Sequence, residues 1–220
     1  MSHTLRETAV ALEYRPAPAF APTPGSEFTP DSGIPWPWNV PDGQWTWELF
    51  CQLPESVGTR YEVIGGRLTV SPTPRPRHQA VAAQLTTLLN TWAIQTKAGR
   101  VFGPVDVVLP SAQQYWEPDL IFVAKDRLLI VGETNIQGAP DLIVEIISPS
   151  TARADWVDKK NAYEGGGVAH YWVVDPAGKS LTAFRLKDGK YEPAGRLEND
   201  AVFEPEGFHG LKVNLAEVWE

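Results

Sequence analysis

Residues 138–176, GAPDLIVEIISPSTARADWVDKKNAYEGGGVAHYWVVDP, decide the fold class. Within them, residues 142–147 form a nearly unbroken run of branched apolar side chains, the pattern of a strand covered on both faces. The charged segment that follows predicts a helix that begins near residue 150 and ends at Gly165–Gly167. The apolar run at 169–176 predicts a second buried strand. Strand, helix and strand in succession indicate an α/β protein.

A glutamate, Glu145, lies in the middle of the first apolar run. A buried, ionised carboxylate costs several kcal/mol unless it is paired or binds a cation. Side chains alternate along a strand, so Asp141 and Glu145 share one face, and two such carboxylates are typical ligands of a hard metal ion. A strand-end aspartate and a glutamate paired with Arg or Lys explain the same pattern equally well. This stretch alone does not decide between a metal site and an ion pair.

The composition is that of an ordinary globular protein, with 43% hydrophobic and 21% charged residues in 220. This length fits one domain with a good core. A single cysteine, Cys51, excludes an internal disulfide and a cysteine-based zinc site, and predicts a cytoplasmic location. The sequence has neither an apolar run near the roughly 20 residues of a membrane span nor a secretory signal pattern. The net charge of −8 argues against strong nonspecific binding to nucleic acid.

The chain divides into a proline-rich arm at 1–43 and a main domain at 44–220. The arm is punctuated by prolines and has no period of 2 or 3.6, which predicts an extended segment. Trp36 and Trp38 near its end are expected to cover edges of the core. Docking of these tryptophans on the main domain or on a partner subunit is the alternative.

Two segments early in the domain carry candidate site residues. YEVIGGRLTVSP, at 61–72, predicts a hairpin that turns at Gly65-Gly66 and has Glu62 on its first strand, where a solvent-facing position is usual. Residues 75–100 predict the clearest helix, with an apolar face from Val81 to Trp92 and a stop near Gly99. His78 falls on that face in the first turn, where a plain hydrogen-bonded histidine is the simpler interpretation.

The middle of the chain predicts the remaining strands. Residues 100–110 and 115–125 are each expected to form one strand, and the second carries Asp119 directly after a proline. After the strand at 169–176, two further strands meet at Asp188-Gly189 in an edge hairpin. The last residues, 195–220, are weakly patterned and are expected to pack across the sheet or at a dimer interface. The prediction is an α/β fold with a mixed central sheet flanked by helices and with extra edge hairpins.

Asp119 and Glu145 can meet on one sheet face if their strands are neighbours. Hydrolysis of a phosphodiester uses a hard cation to neutralise the phosphate and to generate hydroxide, and carboxylates are the natural ligands of that cation. A cation such as Lys159 then stabilises the charge that develops in the transition state. Lys159 precedes Tyr163 by four residues and shares a helix face with it.

Several motifs of the chain follow one another in a fixed order: YEVIGGRLTVSP, RHQAV, EPDLIFV, GAPDLIVEIISPST, Asp155 with Lys159, Tyr163 and HYWVVDP. As an ordered set they are specific, and with them the chain resembles the Uma-two family of restriction-endonuclease-like proteins, which have the PD-(D/E)XK fold. The resemblance covers roughly residues 45–195.

The resemblance implies a Mg²⁺-dependent site, with Mn²⁺ as a substitute, and DNA as the substrate. Asp119 would be the aspartate of the PD motif and Glu145 the acidic residue of the (D/E)XK motif, both as metal ligands. Glu62 and His78 would be supporting residues near the metal. The chain departs from the pattern at Ile147, which stands two residues after Glu145 where the signature lysine should be. A relocated lysine, Lys159, would then complete the catalytic set.

Two functions compete on this basis. The first is a Mg²⁺-dependent endonuclease that hydrolyses DNA. The second is a catalytically inactive protein of the same fold that serves as a binding or dimeric scaffold module, which the departure at Ile147 favours. A Lys159 ammonium within hydrogen-bond reach of Glu145 would favour the first function, and one that points to solvent the second. An α/β hydrolase is disfavoured because the sequence has no Gly-x-Ser-x-Gly elbow. A homodimer is expected, since a duplex has two strands to cut.

Overall fold

The computed structural model describes residues 40–54, 59–109, 112–148 and 154–220. The arm before residue 40 and the predicted helix start near residue 150 therefore lie outside the described residues, as do Trp36, Trp38 and the side chain of Asp155. The helices are α1 Trp47–Phe50, α2 Pro76–Thr96, a 3-10 helix Lys125–Ile130, a π-helical turn Ala154–Lys159, α3 Lys160–Gly166 and α4 Leu215–Val218. The strands are β1 Thr59–Ile64, β2 Arg67–Pro72, β3 Gly99–Phe102, β4 Val107–Leu109, β5 Gln114–Trp116, β6 Leu120–Ala124, β7 Ile136–Gln137, β8 Leu142–Ile146, β9 His170–Asp175, β10 Ser180–Lys187, β11 Lys190–Glu198, β12 Val202–Phe203 and β13 Val213–Asn214.

The central layer is a six-stranded mixed sheet in the order β11-β10-β9-β8-β6-β3. Strands β8 and β9 are parallel because the segment that joins them contains α3, and a helical crossover returns the chain in the same direction. The other neighbouring pairs in this sheet are antiparallel, including β6 with β8. The predicted α/β fold with a mixed central sheet is confirmed.

A second, five-stranded sheet has the order β2-β1-β5-β4-β7. It corrects the prediction of single strands at 100–110 and 115–125, because each of these segments forms two strands that belong to different sheets. Pro104 lies between β3 and β4, and Pro118 between β5 and β6. Proline cannot donate to a strand ladder and restricts the residue before it, so each proline ends one strand and redirects the chain into the other sheet.

The two faces of the six-stranded sheet are covered by different elements, and strand alternation assigns the side chains. Leu142 and Val144 lie in a core with the α2 residues Val81, Leu85, Leu89 and Trp92. Ile143 points to a second core with Ala162 and Tyr163 of α3. The predicted apolar face of α2 is confirmed by burial, with Leu88 partly buried at its margin.

The C-terminal segment packs on the α2 side of this sheet. Phe203, Phe208, Leu211, Val213, Leu215 and Val218 belong to the same core as α2. Packing across the sheet, one of the two predicted arrangements for residues 195–220, is therefore observed.

The predicted turns and helix ends are confirmed with small shifts. Gly65 and Gly66 join β1 to β2 with φ of 59° and 78°, a pair of left-handed conformations that glycine adopts without a steric penalty. Helix α3 ends at Gly167, which is left-handed with φ of 83°. Helix α2 ends earlier than expected, since its left-handed cap is Lys97 and not Gly99. No helix in the described parts of the chain is long and apolar enough to cross a membrane.

Candidate active site

The two acidic residues of the predicted motifs lie on neighbouring strands. β6 and β8 are antiparallel with Leu120 opposite Val144, so the next pair along the ladder is Asp119 and Glu145. The Asp119 carboxylate also binds β8 directly, because its Oδ2 accepts a hydrogen bond of 2.8 Å from the Ile146 amide. Both acids are buried, with 3% of Asp119 and 2% of Glu145 exposed.

Asp119 is held by two cationic or polar side chains from other elements. His78 Nε2, in the first turn of α2, lies 2.9 Å from Asp119 Oδ2. Arg60 Nη1, on β1, lies 3.1 Å from Asp119 Oδ1. Burial raises the pKa of Asp119, but the His78 hydrogen bond and charge, the Arg60 charge and the Ile146 amide outweigh burial and lower that pKa below its ordinary value. Asp119 therefore stays an anion inside the protein.

Glu145 shares one buried cation with Glu62. Lys159 Nζ lies 2.9 Å from Glu145 Oε1 and 2.9 Å from Glu62 Oε2, and Lys159 is only 6% exposed. The Tyr163 hydroxyl donates a short hydrogen bond to the same Glu145 oxygen. The second oxygen of Glu62 accepts from the Glu117 amide at 3.1 Å. Glu62 is thus buried and paired, which corrects the expectation of a solvent-facing residue on the hairpin.

The departure at Ile147 has a structural explanation. Its side chain follows Glu145 on the face of β8 that packs against α3, and it belongs to the apolar core there together with Tyr163. Lys159, which immediately precedes α3, brings its ammonium to Glu145 from the helix layer instead of from the strand. An apolar residue therefore occupies the second position after Glu145, and Lys159 supplies the cation from another element.

All five residues predicted from the sequence lie in one connected polar cluster: Glu62, His78, Asp119, Glu145 and Lys159. Asp141, the carboxylate that the sequence analysis considered as a metal ligand together with Glu145, does not belong to this cluster. Asp141 accepts from Arg127 Nη1 at 2.7 Å and from the Ala124 amide at 2.7 Å. For Asp141 the structural ion pair is the correct interpretation, and a metal site shared by Asp141 and Glu145 is not formed.

Sequence reasoning missed two members of the cluster, Arg60 and Tyr163. Arg60 stands two residues before Glu62 on β1, so strand alternation places both on one face. Besides Asp119, Arg60 binds the Glu117 carbonyl at 3.1 Å and lies 3.5 Å from the Glu117 carboxylate. Tyr163 had been assigned to the helix face of Lys159 but not to the site. Burial, then the charges of Glu145 and Glu62, raise the pKa of Tyr163 well above its ordinary value, so its hydroxyl keeps the proton that it donates.

The cluster has the chemistry of a divalent-cation site. Its donors are carboxylate oxygens, which hard cations prefer, and its carboxylates outnumber its Lys and Arg side chains. At the margin of the cluster, burial and, after it, the charge of Glu62 raise the pKa of Asp106. Burial also raises the pKa of Glu117, which Arg60 lowers and the neighbouring carboxylates raise. Within the described residues, no three His, Cys, Asp or Glu side chains are already arranged around a single ion position.

A cleft of about 380 Å³ leads to Asp119. His78 and Asp119 form part of its wall, and the first half of α2 faces Gly103 and Pro104 across it. His78 Nδ1 is buried and has no hydrogen-bond partner among the described residues. Substrate that enters this cleft would meet the His78–Asp119 pair, whereas Glu145 and Lys159 do not line it.

The mixed sheet, the layers of helices and the paired acids on adjacent strands define a protein with a nuclease-like α/β fold. The chain belongs to the Uma2 family, which is described as "Putative restriction endonuclease" and whose model matches residues 47–216. The crystal structure of a "putative nuclease belonging to DUF820" from Anabaena variabilis has the same fold, with a TM-score of 0.66 and 20% sequence identity over 80% of this chain and 97% of that chain. No curated protein matches the chain.

Proposed function

We propose that this protein is a divalent-metal-dependent endonuclease that hydrolyses phosphodiester bonds in DNA. The observation that carries the proposal is the position of the Lys159 ammonium, 2.9 Å from Glu145 Oε1. Lys159 supplies the cation that is missing at Ile147, two residues after Glu145. Family membership supports a nuclease, and restriction-endonuclease-like families generally use divalent metals. Asp119 and Glu145 would hold the ion, with Mg²⁺ as the first choice and Mn²⁺ as a substitute. When bound, such an ion neutralises the phosphate and lowers the pKa of a bound water.

The protein side chains have separate tasks in this proposal. Arg60 and the Ile146 amide orient the Asp119 carboxylate, and the Tyr163 hydroxyl orients Glu145. The Lys159 ammonium stabilises negative charge that develops on the phosphate. Because His78 Nε2 is engaged with Asp119, Nδ1 is the ring nitrogen that is left with no hydrogen-bond partner among the described residues.

The test is cleavage of supercoiled plasmid by the full chain with Mg²⁺, with Mn²⁺ and with chelator. The variants are Asp119→Asn and Glu145→Gln, which keep the shape of each side chain, and Glu204→Gln is the matched control, since Glu204 pairs only at the surface with Lys212. We expect metal-dependent nicking that is lost in both site variants and kept in the control. Nicking that survives in either site variant would refute the assigned ligands.

The melting temperature with and without metal gives an independent readout of ion binding. We expect Mg²⁺ or Mn²⁺ to raise the melting temperature of the wild type, and to raise that of Asp119→Asn and Glu145→Gln less, because binding to the folded state stabilises it. This measurement does not depend on catalysis.

The alternative is a catalytically inactive member of the family that acts as a binding or dimeric scaffold module. The observation that favours it is the engagement of Lys159 by both Glu62 and Glu145, because this buried cluster of three charged side chains forms without any metal ion. Absence of cleavage under every condition, together with an unchanged melting temperature on addition of metal, would select this alternative. The homodimer and the cytoplasmic location remain predictions, and sedimentation velocity would test the first.

A further inference from the structure

The cleft next to Asp119 is one route by which a phosphate can reach the site. Asp119 is 3% exposed and Glu145 2% exposed, so a nucleic acid resting on the protein surface does not touch either carboxylate. Of these two acids, Asp119 lines the cleft. A strand that reaches Asp119 through this cleft therefore has to leave the surface and enter the cleft.

The size and charge of the cleft do not fit a base-paired duplex. Its volume of about 380 Å³ is at the low end of ligand pockets, which range over about 300–1,000 Å³. Proteins that bind duplex DNA neutralise rows of phosphates with Lys and Arg, but no Lys or Arg is found among the described residues that line this cleft. The chain as a whole carries a net charge of −8. The cleft is suited to one nucleotide unit.

The lining also carries polar groups that can contact the edge of a base. The Thr86 and Thr87 hydroxyls donate to the carbonyls of Ala82 and Ala83 at 2.7 and 2.9 Å, which leaves their oxygen lone pairs as acceptors. The Gln79 amide, about two turns earlier on the same wall, supplies both a donor and an acceptor. An unpaired base exposes such an edge, whereas a paired base uses it within the duplex.

We infer that the cleft binds one nucleotide of an unpaired strand, so that the protein acts on single-stranded DNA, or on unpaired stretches within duplex DNA, in preference to base-paired DNA. The inference rests on the proposed function, because the strand is brought to Asp119 for cleavage. Since no phosphate-binding Lys or Arg lines the described cleft, binding is expected to depend only weakly on salt.

The test compares one oligonucleotide as a single strand and annealed to its complement. Cleavage is measured with the wild type, and binding is measured by fluorescence anisotropy with the full-length Glu145→Gln variant. Because opening a duplex costs a few kcal/mol, we expect the single strand to be bound and cut at least about tenfold better than the duplex. Equal or better binding of the duplex, or no measurable binding of the single strand, would overturn the inference.

Variants that fill the cleft locate the binding. Ala83→Trp narrows it from α2, and Gly103→Trp narrows it from the opposite wall, where an added Cβ meets nothing within 4 Å. Gln84→Trp is the matched control, an exposed residue of the same helix that does not line the cleft. We expect both cleft variants to lose at least about tenfold in binding of the single strand, the loss that a displaced ligand contact of about 1.4 kcal/mol gives, and the control to bind like the wild type.

The two levels of the proposal can fail separately. If the wild type cuts neither form of the oligonucleotide but Glu145→Gln prefers the single strand and Ala83→Trp abolishes that preference, the nuclease proposal fails and the cleft assignment stands. If the wild type cuts DNA but the cleft variants behave like Gln84→Trp, the nuclease proposal stands and the cleft assignment is wrong.

Discussion

Replacement of Lys159 by methionine is expected to destabilise the protein strongly. Lys159 Nζ lies 2.9 Å from Glu62 Oε2 and 2.9 Å from Glu145 Oε1, and both carboxylate residues are 2% exposed. Methionine retains much of the apolar stem of lysine but removes its charge. The two buried carboxylates then lose their shared cation, while Glu145 keeps the hydrogen bond from Tyr163.

The magnitude follows from the burial of this group. Removal of one partner from a buried ion pair costs about 3–5 kcal/mol, because the remaining charge is left uncompensated in a poorly solvated site. For a protein of this size, each kcal/mol lowers the melting temperature by about 2–4 °C. A decrease of roughly 6–20 °C is therefore expected for Lys159→Met.

The measurements are thermal unfolding, which gives the melting temperature, and urea unfolding, which gives the free energy, both at neutral pH in chelator and followed by tryptophan fluorescence. Lys212→Met is the control, because Lys212 and Glu204 form a 2.9 Å pair in which the side chains are 67% and 62% exposed, and such surface pairs contribute at most about 1 kcal/mol. A second substitution, Glu62→Gln in the Lys159→Met background, should recover part of the lost stability by removing one uncompensated charge. If Lys159→Met were as stable as Lys212→Met, the buried three-residue ion cluster would not exist as described.

Two further predictions concern single side chains. Tyr163→Phe removes the hydroxyl that donates to Glu145. Since a hydrogen bond to a charged group contributes about 1.5–3 kcal/mol, we expect a decrease of that size in the free energy of unfolding. A variant as stable as the wild type would contradict the assigned bond. Burial, and secondly the charge of Arg185, lower the pKa of His170 from 6.5 in the folded state. As the pH falls, the unfolded chain therefore binds a proton at His170 at a higher pH than the folded protein does. The wild type should lose stability as the pH falls below about 6.5, and His170→Gln should lose less. Urea unfolding at a series of pH values measures both, and parallel pH profiles would show that His170 is not the group responsible.

Much of the fold was predictable because its local signals agree with its tertiary packing. The Gly65-Gly66 hairpin, the apolar face of α2 and the two buried runs around α3 each have an unambiguous period or turn pattern. The error at 100–110 and 115–125 came from treating apolar runs as continuous. Pro104 and Pro118 were the available signals, since proline interrupts a strand ladder.

The candidate site was predictable in its residue types but not in its pairings. A glutamate within an apolar run must have a partner, which is why Glu145 stood out from the sequence. Glu62 gave no such signal, because a glutamate on a hairpin strand is ordinary at the surface. Its burial results from the packing of the five-stranded sheet beside the helix layer, and no local pattern in the chain encodes that contact.

By itself, the sequence determined the α/β class, the order of the elements from β8 to β9 and the presence of buried charge at Glu145, because periodicity and the cost of burying an ion act locally. Only the tertiary structure decided which charges meet. The register of β6 on β8 sets Asp119 beside Glu145, and the packing of the α3 layer brings Lys159 and Tyr163 onto it. These contacts join residues that are far apart in the chain, and their geometry depends on strand register and helix packing, which are properties of the assembled core.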